Sequence, residues 1–219
     1  MSLFITFEGI EGCGKTTQAR LLYEYLVKTR RSVVLTEEPG GTEIGIKLRK
    51  LLLDKDQENI HPLTELFLYN AGRVQHVMEK LKPLLKEGYI VICDRFMDST
   101  FAYQGYGRGI EIDIIKRLDE IARQGLKPDI TFLLDIEPEI GLRRHSSIKE
   151  LDRLERESLE FHRAVRMGYL EIARQEPERF RIIKAEQPIE EIHGLILKEV
   201  EKQISKLSNC YFRHQPHGL

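Results

Sequence analysis

Cysteine is scarce in this sequence, and its three copies follow no recognisable spacing. Cys13, Cys93 and Cys210 are odd in number and lack the paired arrangement of a zinc site or of a disulfide framework. Isolated cysteines are usually packing residues. We therefore expect three reduced thiols that take no part in catalysis or metal binding.

An excess of charge of either sign is also missing. The 34 lysines and arginines are balanced by 35 aspartates and glutamates, which leaves a net charge of -1. A protein that holds nucleic acid by bulk electrostatics needs a basic excess. We therefore expect no nucleic-acid partner, and any recognition of phosphate has to be local.

Long apolar runs are absent as well. The first one covers only residues 3–7, and neither a basic leader nor a cleavage-site pattern precedes it. We expect a cytoplasmic protein with no membrane partner. With 219 residues, 41% of them hydrophobic, the chain can bury a proper core, and it contains no internal repeat. We expect one domain over residues 1–207 and a loosely held tail over 208–219.

Two patterns alternate along the rest of the chain. Short, nearly continuous apolar runs predict strands buried on both faces, at residues 3–7, 32–36, 89–93, 129–135 and 180–185. Apolar residues at helical spacing predict helices at residues 16–28, 64–87 and 190–205. This alternation is typical of an α/β fold, a five-stranded parallel sheet with helices on both faces. Residues 143–153 are highly charged without apolar periodicity, which predicts an exposed, mobile lid between two helices.

A glycine-rich loop follows the first predicted strand. Residues 9–16 read GIEGCGKT and match the phosphate-loop pattern G-x-x-x-x-G-K-[ST] between a strand and a helix. Backbone amides and the helix N-terminus then converge on one anion. The residues expected around a nucleoside triphosphate are Gly9, Ile10, Glu11, Gly12, Cys13, Gly14, Lys15, Thr16 and Thr17.

Three side chains near this loop have the chemistry of phosphoryl transfer. Lys15 is expected to reach the terminal phosphates, and Thr16 to offer its hydroxyl to Mg²⁺. Asp94 ends the third predicted strand, where a second, largely water-mediated Mg²⁺ contact would come from, although a helix cap is the alternative interpretation. These features predict triphosphate binding and leave the acceptor unnamed.

Polar residues that could bind an acceptor occur in three later stretches. EPGGTEIG, residues 38–45, follows the second predicted strand and lies at the rim where doubly wound sheets bind ligands. In the helix after it, Tyr69 and Arg73 are four residues apart and could stack a base and bond its edge, or could be a core tyrosine and a surface arginine. Residues 94–109 add Arg95 and several small polar groups, and could also be a polar loop entering a helix.

Taken together, the motifs resemble those of thymidylate kinases of the bacterial type, a family of P-loop nucleoside monophosphate kinases. GIEGCGKTT, EPGGTEIG, YNAGR, DRFMDSTFAYQGYGRG, KPDITFLLD and ELDRLERES occur in this order over most of the chain. The resemblance implies ATP with Mg²⁺ on the phosphate loop, dTMP in a deep acceptor pocket, and transfer that yields dTDP and ADP for dTTP biosynthesis. It also implies a homodimer formed through helices, to which helix 64–87 would contribute.

The resemblance also assigns roles to individual residues. Tyr69 would stack on thymine while Arg73 bonds the base edge, and Arg95 would hold the dTMP phosphate in line with the γ-phosphate of ATP. The remaining acceptor contacts would be Thr100 near the thymine N3–H, Tyr103 near the sugar C2′, and Gln104 beside the acceptor.

Glu11 would turn away from ATP and accept a hydrogen bond from the sugar 3′-hydroxyl. Some members of the family carry an arginine directly after this acidic residue, whereas this chain has Gly12, so the resemblance implies a catalytic cation from the lid. The middle of the lid is Ser146, Ser147 and Ile148 rather than arginines. The remaining cations are Arg143, Arg144, Lys149 and Arg153. We predict that Arg153 supplies the catalytic charge and that Arg144 is a second cation that stacks on adenine.

Two other functions stay open from the sequence. A kinase for another deoxynucleotide would share the phosphate loop, and a panel of monophosphates distinguishes it. A nucleotide-driven switch without a small acceptor would hydrolyse ATP slowly whatever monophosphate is present, and it would leave YNAGR and DRF without a role.

Overall fold

The computed structural model describes residues 2–57, 59–146 and 151–213, with side chains left out for 145, 146 and 208–213. Its five strands form one parallel sheet in the order β2-β3-β1-β4-β5. They are β1 (Leu3–Glu8), β2 (Val33–Glu37), β3 (Ile90–Asp94), β4 (Ile130–Asp135) and β5 (Phe180–Lys184). All five predicted strands are confirmed.

Helices connect the strands. They are α1 (Lys15–Lys28), α2 (Glu43–Leu53), α3 (Pro62–His76), α4 (Lys82–Lys86), α5 (Met97–Thr100), α6 (Ile112–Arg123), α7 (Pro138–Ser146), α8 (Leu159–Gln175) and α9 (Ile189–Arg213). A wider π-helical segment, Val77–Leu81, joins α3 to α4, and a second one, Phe101–Gly107, continues α5.

The predicted helix over residues 64–87 is confirmed, with that π-helical segment in its middle. Pro83 has no backbone N–H, and its ring crowds the carbonyl four residues earlier, at Glu79. Widening the turn relieves this conflict without ending the helix.

The sheet is covered on both faces. Leu3, Ile5 and Phe7 of β1 belong to a core cluster shared with α1, α8 and α9. Phe4 points to the other face and packs with Val77 and other residues around the π-helical segment after α3. Since neighbouring residues of a strand face opposite sides, the continuous apolar runs are explained by burial on both. The predicted α/β fold is confirmed.

Two expectations about chain segments need correction. Residues from 208 onwards were expected to contain no regular element, but α9 continues through residue 213, so the predicted boundary at 207 falls inside a helix. The segment 143–153 was expected to be exposed, yet Arg153 near its end is buried. Residues 147–150 of the predicted lid and 214–219 of the predicted tail lie outside the described residues. Among the helices described, none is long and apolar enough to cross a membrane.

Candidate active site

A cavity of about 880 Å³ opens at the carboxyl edge of the sheet. This is the edge at which open parallel sheets bind ligands. The predicted site residues that line it are Glu11, Gly12, Cys13, Gly14, Lys15, Thr16, Thr17, Tyr69, Arg73, Asp94, Arg95, Thr100, Tyr103, Gln104 and Arg144. Gly9, Ile10 and Arg153 were predicted to belong to the site and do not line the cavity.

The phosphate loop runs from β1 to the first turn of α1. Gly14, at φ 94°, lets the backbone enter the helix in a left-handed conformation. The Nζ atom of Lys15 donates a hydrogen bond of 2.9 Å to the carbonyl oxygen of Ile10, within the same loop. The ammonium group is therefore held beside the amides at the helix N-terminus, where an anion binds.

The loop also touches α7 without any side chain between the two backbones. A Cβ atom at Gly12, which has φ 70°, would lie 1.9 Å from the carbonyl oxygen of Gly141. In return, a Cβ atom at Gly141 would lie 2.4 Å from the carbonyl oxygen of Glu11. An arginine after Glu11 therefore does not fit this arrangement, which gives the glycine at that position a physical reason.

Thr16 and Asp94 meet at the predicted metal position. The Thr16 hydroxyl donates a hydrogen bond of 2.5 Å to Oδ2 of Asp94. The other carboxylate oxygen, Oδ1, is buried and has no hydrogen-bond partner among the described residues. Hard oxygen ligands of this kind suit Mg²⁺, which usually takes few protein ligands and completes its shell with phosphate oxygens and water. Within the described residues no cluster of three or more His, Cys, Asp or Glu side chains could hold a metal ion.

The Glu11 carboxylate faces the residues after β3. Its Oε1 accepts hydrogen bonds from Arg95, at 2.9 Å, and from the Tyr103 hydroxyl, at 2.5 Å. Its Oε2 lies 3.3 Å from Nδ1 of the buried His162. Burial by itself would raise the pKa of Glu11, but His162, Arg95 and Lys15 together hold that pKa far below its usual range. The acidic side chain is therefore ionised, and it points toward the predicted acceptor residues.

Arg95 links the phosphate loop to the acceptor side. Besides its bond to Glu11, it donates to the carbonyl oxygen of Gly9 and to the Tyr169 hydroxyl, each at 3.1 Å. Its backbone has φ 69°, an uncommon conformation for a side chain other than glycine. The Arg95 side chain is 19% exposed and lines the cavity, so a ligand there can contact it.

Arg73 is buried in the part of the cavity that the predicted acceptor residues line. It donates to Oε2 of Glu38 at 2.8 Å, to the Thr100 hydroxyl at 2.9 Å and to the carbonyl oxygen of Phe96 at 3.1 Å. Sequence reasoning gave Glu38 no role beyond opening the EPGG turn, although a charged residue between a buried strand and a proline was an available signal. Tyr69 lines the same end, and burial raises the pKa of its hydroxyl, which stays neutral.

The structure does not bring Arg153 to the phosphate loop. Its Nε donates to the carbonyl oxygen of Leu52 at 2.9 Å, and its NH2 donates to Oε2 of Glu65 at 2.5 Å. Both partners belong to helices, α2 and α3, and not to the phosphate loop. The prediction of Arg153 as the cation over ATP therefore finds no support in this arrangement. Arg144 does line the cavity, where its NH1 donates to the carbonyl oxygen of Ala185, just after β5.

Known proteins share this combination of fold and site. A family model described as thymidylate kinase matches residues 7–196. The thymidylate kinase of Pelobacter propionicus is 50% identical over 206 residues, which cover 91% of this chain and 94% of that protein. That of a Thermoanaerobacter strain is 47% identical over 201 residues, or 92% of this chain and 98% of that protein.

The chain belongs to the thymidylate kinase family. It is an enzyme that transfers the γ-phosphate of ATP to dTMP and yields dTDP and ADP. A crystal structure of thymidylate kinase from Ehrlichia chaffeensis superposes with a TM-score of 0.75 at 39% identity, covering 91% of this chain and 98% of that one. The resemblance drawn from the sequence motifs is confirmed.

Sequence reasoning also missed a buried carboxylate that lies behind two residues of this thymidylate kinase site, Phe96 and Ser99. Glu8 ends β1 and accepts hydrogen bonds from the backbone amide of Phe96, at 2.7 Å, and from the Ser99 hydroxyl, at 2.6 Å. It also accepts from the Tyr169 hydroxyl at 3.0 Å. Burial, with help from nearby Asp98, raises its pKa to about 7. Glu8 thereby fixes the loop that carries Arg95, and the available signal was a glutamate at the end of an otherwise apolar strand.

Proposed function

We propose that phosphoryl transfer to dTMP takes place beside the contact between Glu11 and Arg95. One observation supports this proposal: the 2.9 Å contact joins the phosphate loop to Arg95, in a cavity that both the loop and the predicted acceptor residues line. Donor and acceptor phosphates repel each other, so most of the catalysis lies in positioning them and neutralising their charge. A guanidinium group at the junction of the two sites supplies both.

On the donor side, the amides of residues 12–17 would hold the ATP phosphates, and Lys15 would neutralise their charge. Thr16 and Asp94 would hold Mg²⁺, and the spare Oδ1 of Asp94 supports that assignment. When bound, the ion adds further charge neutralisation at the phosphate oxygens. Arg144, which lies near the chain after β5, would provide a lid-side cation toward the nucleotide and stack on its base.

On the acceptor side, Tyr69 would stack on thymine, with Arg73, Thr100 and Gln104 at the base edges. Tyr103 would lie against the sugar C2′, where a ribose hydroxyl would collide. The ionised Glu11 would accept a hydrogen bond from the 3′-hydroxyl, which its lowered pKa supports because an ionised carboxylate only accepts hydrogen bonds. Arg95 would hold the dTMP phosphate in line for attack on ATP.

A panel of nucleoside monophosphates tests the acceptor assignment. With ATP and Mg²⁺ in a coupled assay, dTMP is expected to give the highest kcat/KM, above dUMP, dCMP, dGMP and dAMP. A kcat/KM for dCMP equal to that for dTMP would mean that the acceptor assignment is wrong. ATP hydrolysis that no monophosphate accelerates would contradict a kinase altogether.

We also propose that two copies of the chain pair through α3. An exposed apolar stripe runs along this helix and into the π-helical segment after it, at Leu63, Phe67, Val74 and Met78. The spacing of these residues places them on one helical face. Contiguous exposed apolar surface of this kind is typical of an interface between proteins, and a second copy is the partner that the family resemblance implies. The cytoplasm stays our prediction for where the reaction occurs.

A further inference from the structure

Glu65 is a buried carboxylate behind the acceptor pocket, and no role in the reaction has been assigned to it so far. It lies on α3 one turn before Tyr69, and only 1% of its surface is exposed. Its Oε1 accepts a hydrogen bond of 2.8 Å from Nε2 of Gln104, a residue that lines the cavity. This contact decides which end of the Gln104 amide faces Glu65 and which end faces away from it.

A glutamine side chain has one end that donates and one end that accepts hydrogen bonds. The two ends have nearly the same shape, so the orientation of the amide depends on its partners. An ionised carboxylate can only accept, which requires the NH₂ end of Gln104 to face Glu65. The carbonyl Oε1 must then point away from Glu65, on a side chain that lines the cavity.

Two arginines keep Glu65 ionised and fixed in place. Arg108 contacts both of its oxygens at 3.3 Å, and Arg153 donates to Oε2 at 2.5 Å. Burial alone would raise the pKa of Glu65, but Arg108, Gln104 and Arg153 lower it, so the carboxylate keeps its charge. Because of these contacts, Glu65 can neither rotate away nor become a donor toward Gln104.

We propose that Glu65 is a positioning residue for base selectivity: it locks Gln104 with its carbonyl toward the acceptor base, so the pocket favours a pyrimidine that carries an N3–H donor. This inference rests on the proposed function. Thymine and uracil present an N3–H donor beside an O4 acceptor. Cytosine presents an N3 lone pair beside an amino donor, which opposes both the Gln104 carbonyl and Arg73, a side chain that only donates. A buried polar pocket group left unpaired discriminates strongly between ligands.

The test is the Glu65→Gln variant, assayed with dTMP, dUMP and dCMP. A neutral amide at position 65 can donate or accept, so Gln104 can turn either way. We expect the ratio of kcat/KM for dTMP over dCMP to fall by about tenfold or more. The ratio for dTMP over dUMP should stay constant, because those two bases differ only at the C5 methyl group. A uniform loss on all three substrates, or a dTMP/dCMP ratio that stays within about twofold of wild type, overturns the proposal.

Glu157→Gln is the matched control. Glu157 pairs with the same Arg108, through a contact of 2.6 Å, but does not bond to Gln104. The chemical change is identical, and the dTMP/dCMP ratio is expected to stay at the wild-type value. A ratio that falls in this control as far as in Glu65→Gln would mean that Arg108, rather than the Gln104 amide, carries the effect, and would overturn the proposal.

Gln104→Met keeps the test decisive if Glu65→Gln does not fold. Methionine matches the length of glutamine but presents no carbonyl, so the dTMP/dCMP ratio should fall here as well. If Glu65→Gln does fold, adding it to Gln104→Met should produce no further change in the ratio. An unchanged ratio in Gln104→Met contradicts the proposal. A wild-type enzyme that does not prefer dTMP would instead contradict the proposed function.

Discussion

Gly12 of the phosphate loop and Gly141 of α7 pack backbone against backbone, so closely that a methyl group at position 12 would lie 1.9 Å from the Gly141 carbonyl oxygen. The helix that leads into the predicted lid therefore rests directly on the loop that binds ATP. A displacement of α7 therefore requires the phosphate loop to adjust, because the two backbones are in direct contact.

Gly12→Ala is expected to destabilise the protein more than a positive φ alone explains. Gly109→Ala is the matched control, because Gly109 has φ 73° but nothing within 4 Å of the added methyl group. The control should cost about 1 kcal/mol from backbone strain. Gly12→Ala should cost about 2 kcal/mol more, since two backbones must separate. Urea unfolding of both variants measures the difference, and equal losses would argue against the packing explanation.

Loss of Arg153 is expected to lower stability, whereas loss of Arg144 is expected to impair the use of ATP. Arg153→Ala leaves the buried Glu65 with one cation fewer, which should lower the free energy of unfolding by about 3 kcal/mol. Arg144→Ala should lower kcat/KM for ATP about tenfold, as expected for the loss of a cation stacked on the base, with little change in stability. Steady-state kinetics and denaturant unfolding of both variants check this. A large fall in kcat for Arg153→Ala at unchanged stability would restore its predicted catalytic role.

Arg73→Ala is expected to affect dTMP and stability together. The Glu38 carboxylate, which is 5% exposed, would lose its closest cation, so the free energy of unfolding should fall by about 3 kcal/mol. KM for dTMP should rise while KM for ATP changes little, because Arg73 is proposed to contact the acceptor base. Isothermal titration calorimetry with dTMP and with ATP measures the two affinities separately. Weakened ATP binding with normal dTMP binding would place Arg73 at the wrong end of the cavity.

Glu8 should make stability depend on pH near neutrality. The folded protein keeps the Glu8 proton up to about pH 7, whereas an unfolded glutamate releases it near 4.5. The folded state therefore binds more protons between these values, and its stability falls as the pH rises through them. As the pH rises from 4.5 to 7, the free energy of unfolding of wild type should fall by about 3 kcal/mol relative to that of Glu8→Gln.

Chemical unfolding at pH 5 and pH 8 measures this difference. Glu11 does not interfere, because its pKa is lowered and its contribution is lost only below about pH 4.5. If the free energy of unfolding changed with pH equally in wild type and in Glu8→Gln, another group would be responsible for the pH dependence.

Phe67→Glu is expected to convert a dimer into a monomer. Phe67 lies in the middle of the apolar stripe on α3 and is 57% exposed, so a charge there would be buried by the second copy. Leu195→Glu on α9, an exposed apolar residue on a different helix, is the control and should leave the assembly intact. Sedimentation velocity distinguishes the two outcomes. A wild-type monomer at micromolar concentration would contradict the proposed pairing.

Local sequence by itself determined the architecture and the triphosphate site. Strands and helices follow from the periodicity of apolar residues, which is a property of short segments, and all five strands were predicted within one residue or two. The phosphate loop was predictable because its residues are adjacent in the chain and use backbone amides. Tyr69 and Arg73 could be paired because a helix brings positions four apart onto one face.

Only the tertiary structure decided how distant charges pair. Arg153 bonds to Glu65, 88 positions away, and Arg73 to Glu38, 35 positions away. Burial makes an unpaired charge costly, so the partner is whichever carboxylate the fold places nearby, and no local pattern encodes that choice. For the same reason the charged stretch before α8 did not reveal that Arg153 turns toward Glu65. The contact between Gly12 and Gly141 likewise depends on how α7 packs on the phosphate loop.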